Sequence, residues 1–130
     1  MRIVPPTKIE IKESKGKGVG VFATEDIALH EIFEQVAVLP IPNIDKENKP
    51  ILFNYRFGFP MGGQAKENVI GLGYASFYNH NDKPNARWEN DPRQRGFIFY
   101  ALRAIKAGEE ILISYGGEEY WKQRPYIKKV

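Results

Sequence analysis

Apolar stretches in this chain are short, and each ends at glycine, proline or a charged turn, so the sequence is confined to many brief extended segments. From Thr7 to Glu13, "TKIEIKE" alternates Ile9 and Ile11 with charged neighbours, the period-two pattern of a half-buried strand. "SKGKGVGVFAT" then sets Gly16, Gly18 and Gly20 ahead of Val21-Phe22-Ala23, a glycine turn feeding a second strand. Glu31 to Pro40, "EIFEQVAVLP", is a third strand stopped by Pro40 and Pro42, and residues 41–50 read as an exposed loop. The aromatic-rich "ILFNYRFGFPMGG" reads as a strand, with a buried irregular strip as the alternative. Gly71, Gly73, Ala75 and Ser76 suit close packing of backbone on backbone, with room for a helical turn or two before His80. Arg95 to Ile105, "RGFIFYALRAI", carries the strongest strand signal, and "EEILISYG" follows after the turn Lys106-Ala107-Gly108. The class is mainly β with little helix.

One internal echo stands out. "EDIALHEIFE" at 25–34 resembles "LRAIKAGEEIL" at 102–112: an Ile, a three-residue turn, then Glu and Ile opening a strand. Gly108 occupies the second turn and His30 stands in its place in the first. The period does not recur, which excludes a solenoid. A lone His without partner residues is weak grounds for chemistry, so His30 reads as a turn residue and not as a ligand.

At 130 residues the chain fits one domain, and its 42% hydrophobic against 27% charged content excludes a disordered composition. The absence of cysteine excludes disulfides and thiolate zinc ligands, and the two His lack the carboxylate spacing that a zinc site would need. A net charge of +3 leans basic, yet no long Lys/Arg run occurs, so nucleic acid is not indicated as a direct ligand. The start, "MRIVPPTKIEIK", lacks the apolar stretch of a secretory signal, and no run is long enough to span a bilayer, so no membrane association is expected. A cytoplasmic or nuclear address is expected by elimination.

Three pieces carry chemistry. "GKGVGVFA" precedes a strand, where a dinucleotide fingerprint would follow one and open a helix, and no Gly-Lys-Ser/Thr exists for a P-loop. "FYNHNDKPNA" holds far more Asn, Asp and His than a turn requires. "GEEILISYG" closes the set.

In this order and at these separations the pieces resemble the SET-domain protein lysine methyltransferases. The resemblance runs from about Ile9 to Pro125, through Gly18-Val19-Gly20, through Asn79, His80, Pro84 and Asn85, and through Gly108-Glu109-Glu110-Ile111 to Ser114-Tyr115-Gly116. The minimal viral or bacterial-type members, without flanking zinc-binding segments, are most alike. The resemblance implies a single domain over residues 1–130, built as a β-clip-like fold of several short curved sheets with a C-terminal pseudoknot. It implies S-adenosyl-L-methionine as cofactor and a lysine-containing protein as substrate, such as a histone tail or another basic protein. No metal is required, and a homodimer is a fair expectation.

The same resemblance assigns residues. Tyr115 is the catalytic tyrosine, which positions the amine; a free phenol, with pKa ~10, makes a poor base at neutral pH. Lys17, Gly18, Val19, Gly20, Asn79, His80, Tyr115 and Trp121 would hold the cofactor. Tyr55, Phe57 and Tyr120 would line the substrate-lysine channel, whose apolar walls disfavour the ammonium form. Glu109, Glu110, Glu118 and Glu119 read as solvated carboxylates. Asn81, Val19 and His30 depart from the family pattern. The competing function is a catalytically silent module of the same fold that binds a protein partner.

Overall fold

A computed structural model describes residues 6–42, 47, 48, 50–60 and 67–116. Among them the chain forms nine strands and one short helix, with the strands Glu67–Gly71, Asn79–His80 and Ala86–Asn90 beyond those expected from the sequence. These are β1 (Ile9–Ser14), β2 (Gly18–Ala23), β3 (Ile32–Pro40), α1 (Pro50–Tyr55), β4 (Phe57–Phe59) and β5 (Glu67–Gly71), followed by β6 (Asn79–His80), β7 (Ala86–Asn90), β8 (Gly96–Ala101) and β9 (Glu110–Ile113). They assemble into a four-stranded sheet ordered β1-β2-β9-β6 and a five-stranded sheet ordered β4-β5-β3-β8-β7. All pairings are antiparallel except β6 with β9, where Asn79 faces Leu112 and His80 faces Ile113. No helix among the described residues is long and apolar enough to cross a membrane.

The echo noticed in the sequence is the organising device. Corresponding positions lie 78 residues apart (27 and 105, 30 and 108, 31 and 109), and their hydrogen bonds are reciprocal. Ile27 and Ile105 exchange both backbone bonds at 2.8 Å. His30 N–H donates to the Ala101 carbonyl at 2.9 Å, and Gly108 N–H donates to the Ala23 carbonyl at 2.7 Å. Ala23 N–H donates to Glu109 and Ala101 N–H to Glu31, at 2.9 and 3.1 Å. Each three-strand unit, β1-β2-β3 about the first turn and β7-β8-β9 about the second, therefore gives its last strand to the other: β9 pairs with β2, and β3 pairs with β8. Val21, Ala23, Ile27, Phe97, Phe99, Ala101, Ile105 and Ile111 are buried where the units meet. Each large side chain among them contributes roughly 1.5–3 kcal/mol by leaving water.

Residues 51–55 depart from the strand expectation. Pro50 presets the backbone for a first helical turn and its missing N–H costs nothing there, so α1 forms and extended structure resumes only at Phe57. Phe57 then packs with Trp88 and Phe97, ring centroids 5.0 and 5.2 Å away, on the five-stranded sheet. The expected close packing at Gly71 and Gly73 is present with a different occupant. A Cβ on Gly71 would lie 2.7 Å from that of Ala75, and one on Gly73 would lie 2.6 Å from the Glu34 carboxylate. The threading expected of the C-terminal segment falls on residues 117–130, outside the described residues.

His30 adopts φ +67° and Gly108 φ +92°, the left-handed region that costs an ordinary L-residue roughly 1–2 kcal/mol. Glycine at such a site gives back part of that gain, roughly 0.5–1 kcal/mol, in unfolded-chain entropy. His30→Gly is therefore expected to raise stability by about 0.5 kcal/mol, and Gly108→Ala to lower it by about as much. Urea unfolding of both variants measures this; a His30→Gly midpoint below that of the parent chain would refute the matched-turn reading.

Candidate active site

The polar loop 79–85 is wound against β9, and this is what its surplus of Asn and His does. Asn85 is buried and makes both ladder-like and side-chain bonds: its N–H donates to the Leu112 carbonyl, its Nδ2 to the Glu110 carbonyl at 2.9 Å, and its Oδ1 accepts from Leu112 N–H at 2.8 Å. A buried backbone edge that no regular strand reaches is thus satisfied by one amide side chain. Asn81, where the sequence leaves the family pattern, donates its N–H to the Ile113 carbonyl and accepts from Lys83 N–H at 2.8 Å, an Asx turn that Ser would make more weakly.

Asn79 ties together the glycine turn and β9. Its Nδ2 donates to the Val19 carbonyl at 3.0 Å and to Glu110 Oε2 at 2.8 Å. The second carboxylate oxygen, Oε1, accepts from the buried Ser14 hydroxyl at 2.9 Å. Glycine at position 20 leaves the room these side-chain ends use: a Cβ there would lie 2.3 Å from Glu110 Oε2 and 2.7 Å from Asn79 Nδ2 and would displace them. Gly18, by contrast, has φ +80° and open space beside it, and Val19 is exposed.

His80 and Tyr115 form the second half of the site. Tyr115 N–H donates to His80 Nδ1 at 2.9 Å, so Nδ1 is the acceptor and the ring proton resides on Nε2, 2.8 Å from Asp82 Oδ1. The imidazole is buried while the Asp82 carboxylate is mostly exposed. The Tyr115 hydroxyl donates to the Tyr78 carbonyl at 2.5 Å. One tyrosine is therefore fixed at its phenol by Tyr78 and at its backbone by His80, two residues apart on the same segment.

Beneath this lies a buried acid that the sequence did not single out. Tyr78, stacked on Phe99 at 4.6 Å, donates its hydroxyl to Glu34 Oε1 at 2.6 Å, and Tyr74 N–H donates to Glu34 Oε2 at 2.7 Å. Burial pushes the Glu34 carboxyl above the usual carboxylate range, partly offset by those two hydrogen bonds, and burial together with Glu34 pushes the Tyr78 phenol well up.

Of the residues expected at the site, Gly18, Val19, Gly20, Asn79, His80 and Tyr115 converge, with Lys17 on the same turn, its N–H donating to the Ser14 carbonyl at 3.0 Å. Tyr55 is exposed at the end of α1, and Phe57 belongs to the aromatic packing of the other sheet. Tyr120 and Trp121, with Glu118 and Glu119, lie outside the described residues. Glu109 is a surface carboxylate held by Arg103 at 2.9 Å, which lowers its pKa, but Glu110 is turned inward and is not merely solvated. The sequence marks Glu110 only by its place in the third motif; the crowding beside Gly20 is visible only in the structure.

Comparisons with known proteins bear on the fold and the family. The family model described as SET domain matches residues 18–116. A Schizosaccharomyces pombe protein named histone-lysine N-methyltransferase, H3 lysine-37 specific, is 36% identical over 120 residues, covering 89% of this chain and 79% of that protein. The crystal structure of a Plasmodium falciparum candidate histone methyltransferase superposes with a TM-score of 0.71 at 35% identity, covering 87% of this chain and 96% of that one.

Glu34 sets a pH dependence whose sign follows from its raised pKa. A carboxyl that holds its proton more tightly when folded contributes stability that is complete below its unfolded pKa, about 4.3, and is lost as pH rises through the folded value. The stability of the parent chain relative to Glu34→Gln should therefore fall as pH climbs from about 4. Paired urea titrations across that range test it, since Glu31 and Glu109, lowered by their partners, are common to both proteins and cancel. A pH-independent difference would contradict the assignment.

Proposed function

We propose, for a chain that belongs to the SET domain family and is a protein-lysine methyltransferase, that it takes its methyl group from S-adenosylmethionine and places it on a lysine of a histone tail or similar basic protein. The observation that carries the reading is the doubly anchored Tyr115, held by Tyr78 at its hydroxyl and by His80 at its backbone.

The residues fit such a cofactor on two counts. Gly18 leaves open space at a left-handed turn, where a ligand can approach the backbone closely, and Asn79 spends both Nδ2 protons inside the fold, which leaves Oδ1 as an acceptor for an ammonium group. Lys17, Gly18, Val19, Gly20, Asn79 and His80 would hold it, with Gly20 acting through the room it leaves for Glu110 and Asn79. When bound, S-adenosylmethionine supplies an electrophilic methyl on a sulfonium that departs as a neutral thioether.

The chain's own residues do the rest. Because the Tyr115 proton is committed to the Tyr78 carbonyl, the phenol would act toward a bound cofactor and amine as an acceptor and not as an acid. Its two anchors remove the rotational freedom that would otherwise have to be frozen in the transition state, and orientation of this kind is worth up to ~7–11 kcal/mol in favourable cases. The substrate lysine must arrive neutral, which apolar walls favour by penalising the ammonium. Tyr55, exposed at the end of α1, would border the entering peptide.

Mass spectrometry of histones and other basic proteins incubated with the enzyme and labelled S-adenosylmethionine tests the reading. A discrete methylated lysine is expected. Tyr115→Phe should lower kcat ~100-fold while binding S-adenosylhomocysteine within a few-fold of the parent. No methylation of any basic protein, or full activity in Tyr115→Phe, would overturn it.

A further inference from the structure

We propose that Glu110 is a positioning residue of the methyl-transfer site, which aims the Asn79 amide so that its Oδ1 meets the cofactor; the inference rests on the cofactor reading given above. An amide side chain has two broad orientations that exchange its oxygen and nitrogen, and at a site that must offer an acceptor only one is productive. Val19 alone would favour that orientation with one bond at 3.0 Å. Glu110 adds a second acceptor at 2.8 Å for the same nitrogen, so the reverse orientation would set the amide oxygen against a carbonyl and a carboxylate together.

Glu110 is itself fixed. Its other oxygen takes the Ser14 hydroxyl on β1 at 2.9 Å, and its backbone carbonyl takes the Asn85 amide at 2.9 Å. Gly20 leaves the space across the sheet in which the carboxylate lies, and a Cβ there would push it off Asn79. One side chain thus couples the glycine turn, the Asn-His loop and the last strand, and a strand-end acid that would ordinarily be solvated is held half-buried by two neutral partners, Ser14 and Asn79. What matters is the acceptor offered to Asn79 and not the charge, because glutamine can keep Oε1 on Asn79 and turn Nε2 to donate to the Ser14 oxygen.

Titration calorimetry with S-adenosylhomocysteine, thermal unfolding and steady-state kinetics on the full chain test the assignment. Glu110→Ala should weaken binding about tenfold, the worth of roughly one well-made hydrogen bond, without raising the KM for the peptide lysine. Glu110→Gln should stay within about threefold of the parent, and Ser14→Ala, which frees only the far oxygen, should lose about two- to threefold with little change in melting temperature. A Glu110→Gln variant as impaired as Glu110→Ala, or a Glu110→Ala variant with parental affinity, overturns the proposal. If Glu110→Ala does not fold, parental affinity in Ser14→Ala does so alone. A parent chain that binds no S-adenosylhomocysteine overturns the cofactor reading instead, and is recognised before any variant is made.

Discussion

Strand β9 is the constraint on which the rest depends, because it is held from both sides by segments that have no other way to satisfy themselves. On one side β2 pairs with it at Val21 and Phe22; on the other, the loop 79–85 runs parallel to it for two residues and then substitutes Asn85 for a strand. Parallel pairing so short could not persist alone. Three bonds from one buried asparagine, counting its backbone, make it persist, and they also fix the depth at which Tyr115 leaves the strand.

Two carboxylates, Glu34 buried and Glu110 half-buried, solve one problem in different ways. A buried acid without a cation is costly unless its oxygens are hydrogen-bonded. Glu110 has neutral donors on both oxygens, from Ser14 and Asn79. Glu34 has a phenol and a backbone amide, Tyr78 and Tyr74, and its raised pKa measures how incomplete that compensation is. Both stand directly behind the residues that carry the motifs, so the polar interior is a scaffold for the site and not an accident of packing.

Much of this was legible in the sequence, and the exceptions have physical causes. Strands with period-two alternation, such as 9–14 and 96–101, and the Tyr115 and Asn79-His80 motifs could be read because local pattern and final environment coincide. The match of His30 to Gly108 was visible as an alignment of turns, although its left-handed backbone was not, since nothing local to His demands it. Residues 51–55 failed because aromatic content favours a strand, while a single proline at position 50 decided for a helix. Glu34 and Glu110 were not recoverable as interior groups: whether a carboxylate points to water or to a tyrosine on another strand is set by register, which no short window of sequence contains.

The exchange of last strands between the two units has a consequence for how the protein comes into being. As the chain emerges from a ribosome, β2 keeps one bare edge until Glu110 has appeared, and β3 keeps one until Gly96 has. Neither sheet can close early, and pairings between such distant segments place the domain among slower folders. Tyr115 comes two residues after β9. Among the described residues, the pairing that completes the two sheets is therefore also the one that sets the phenol in place.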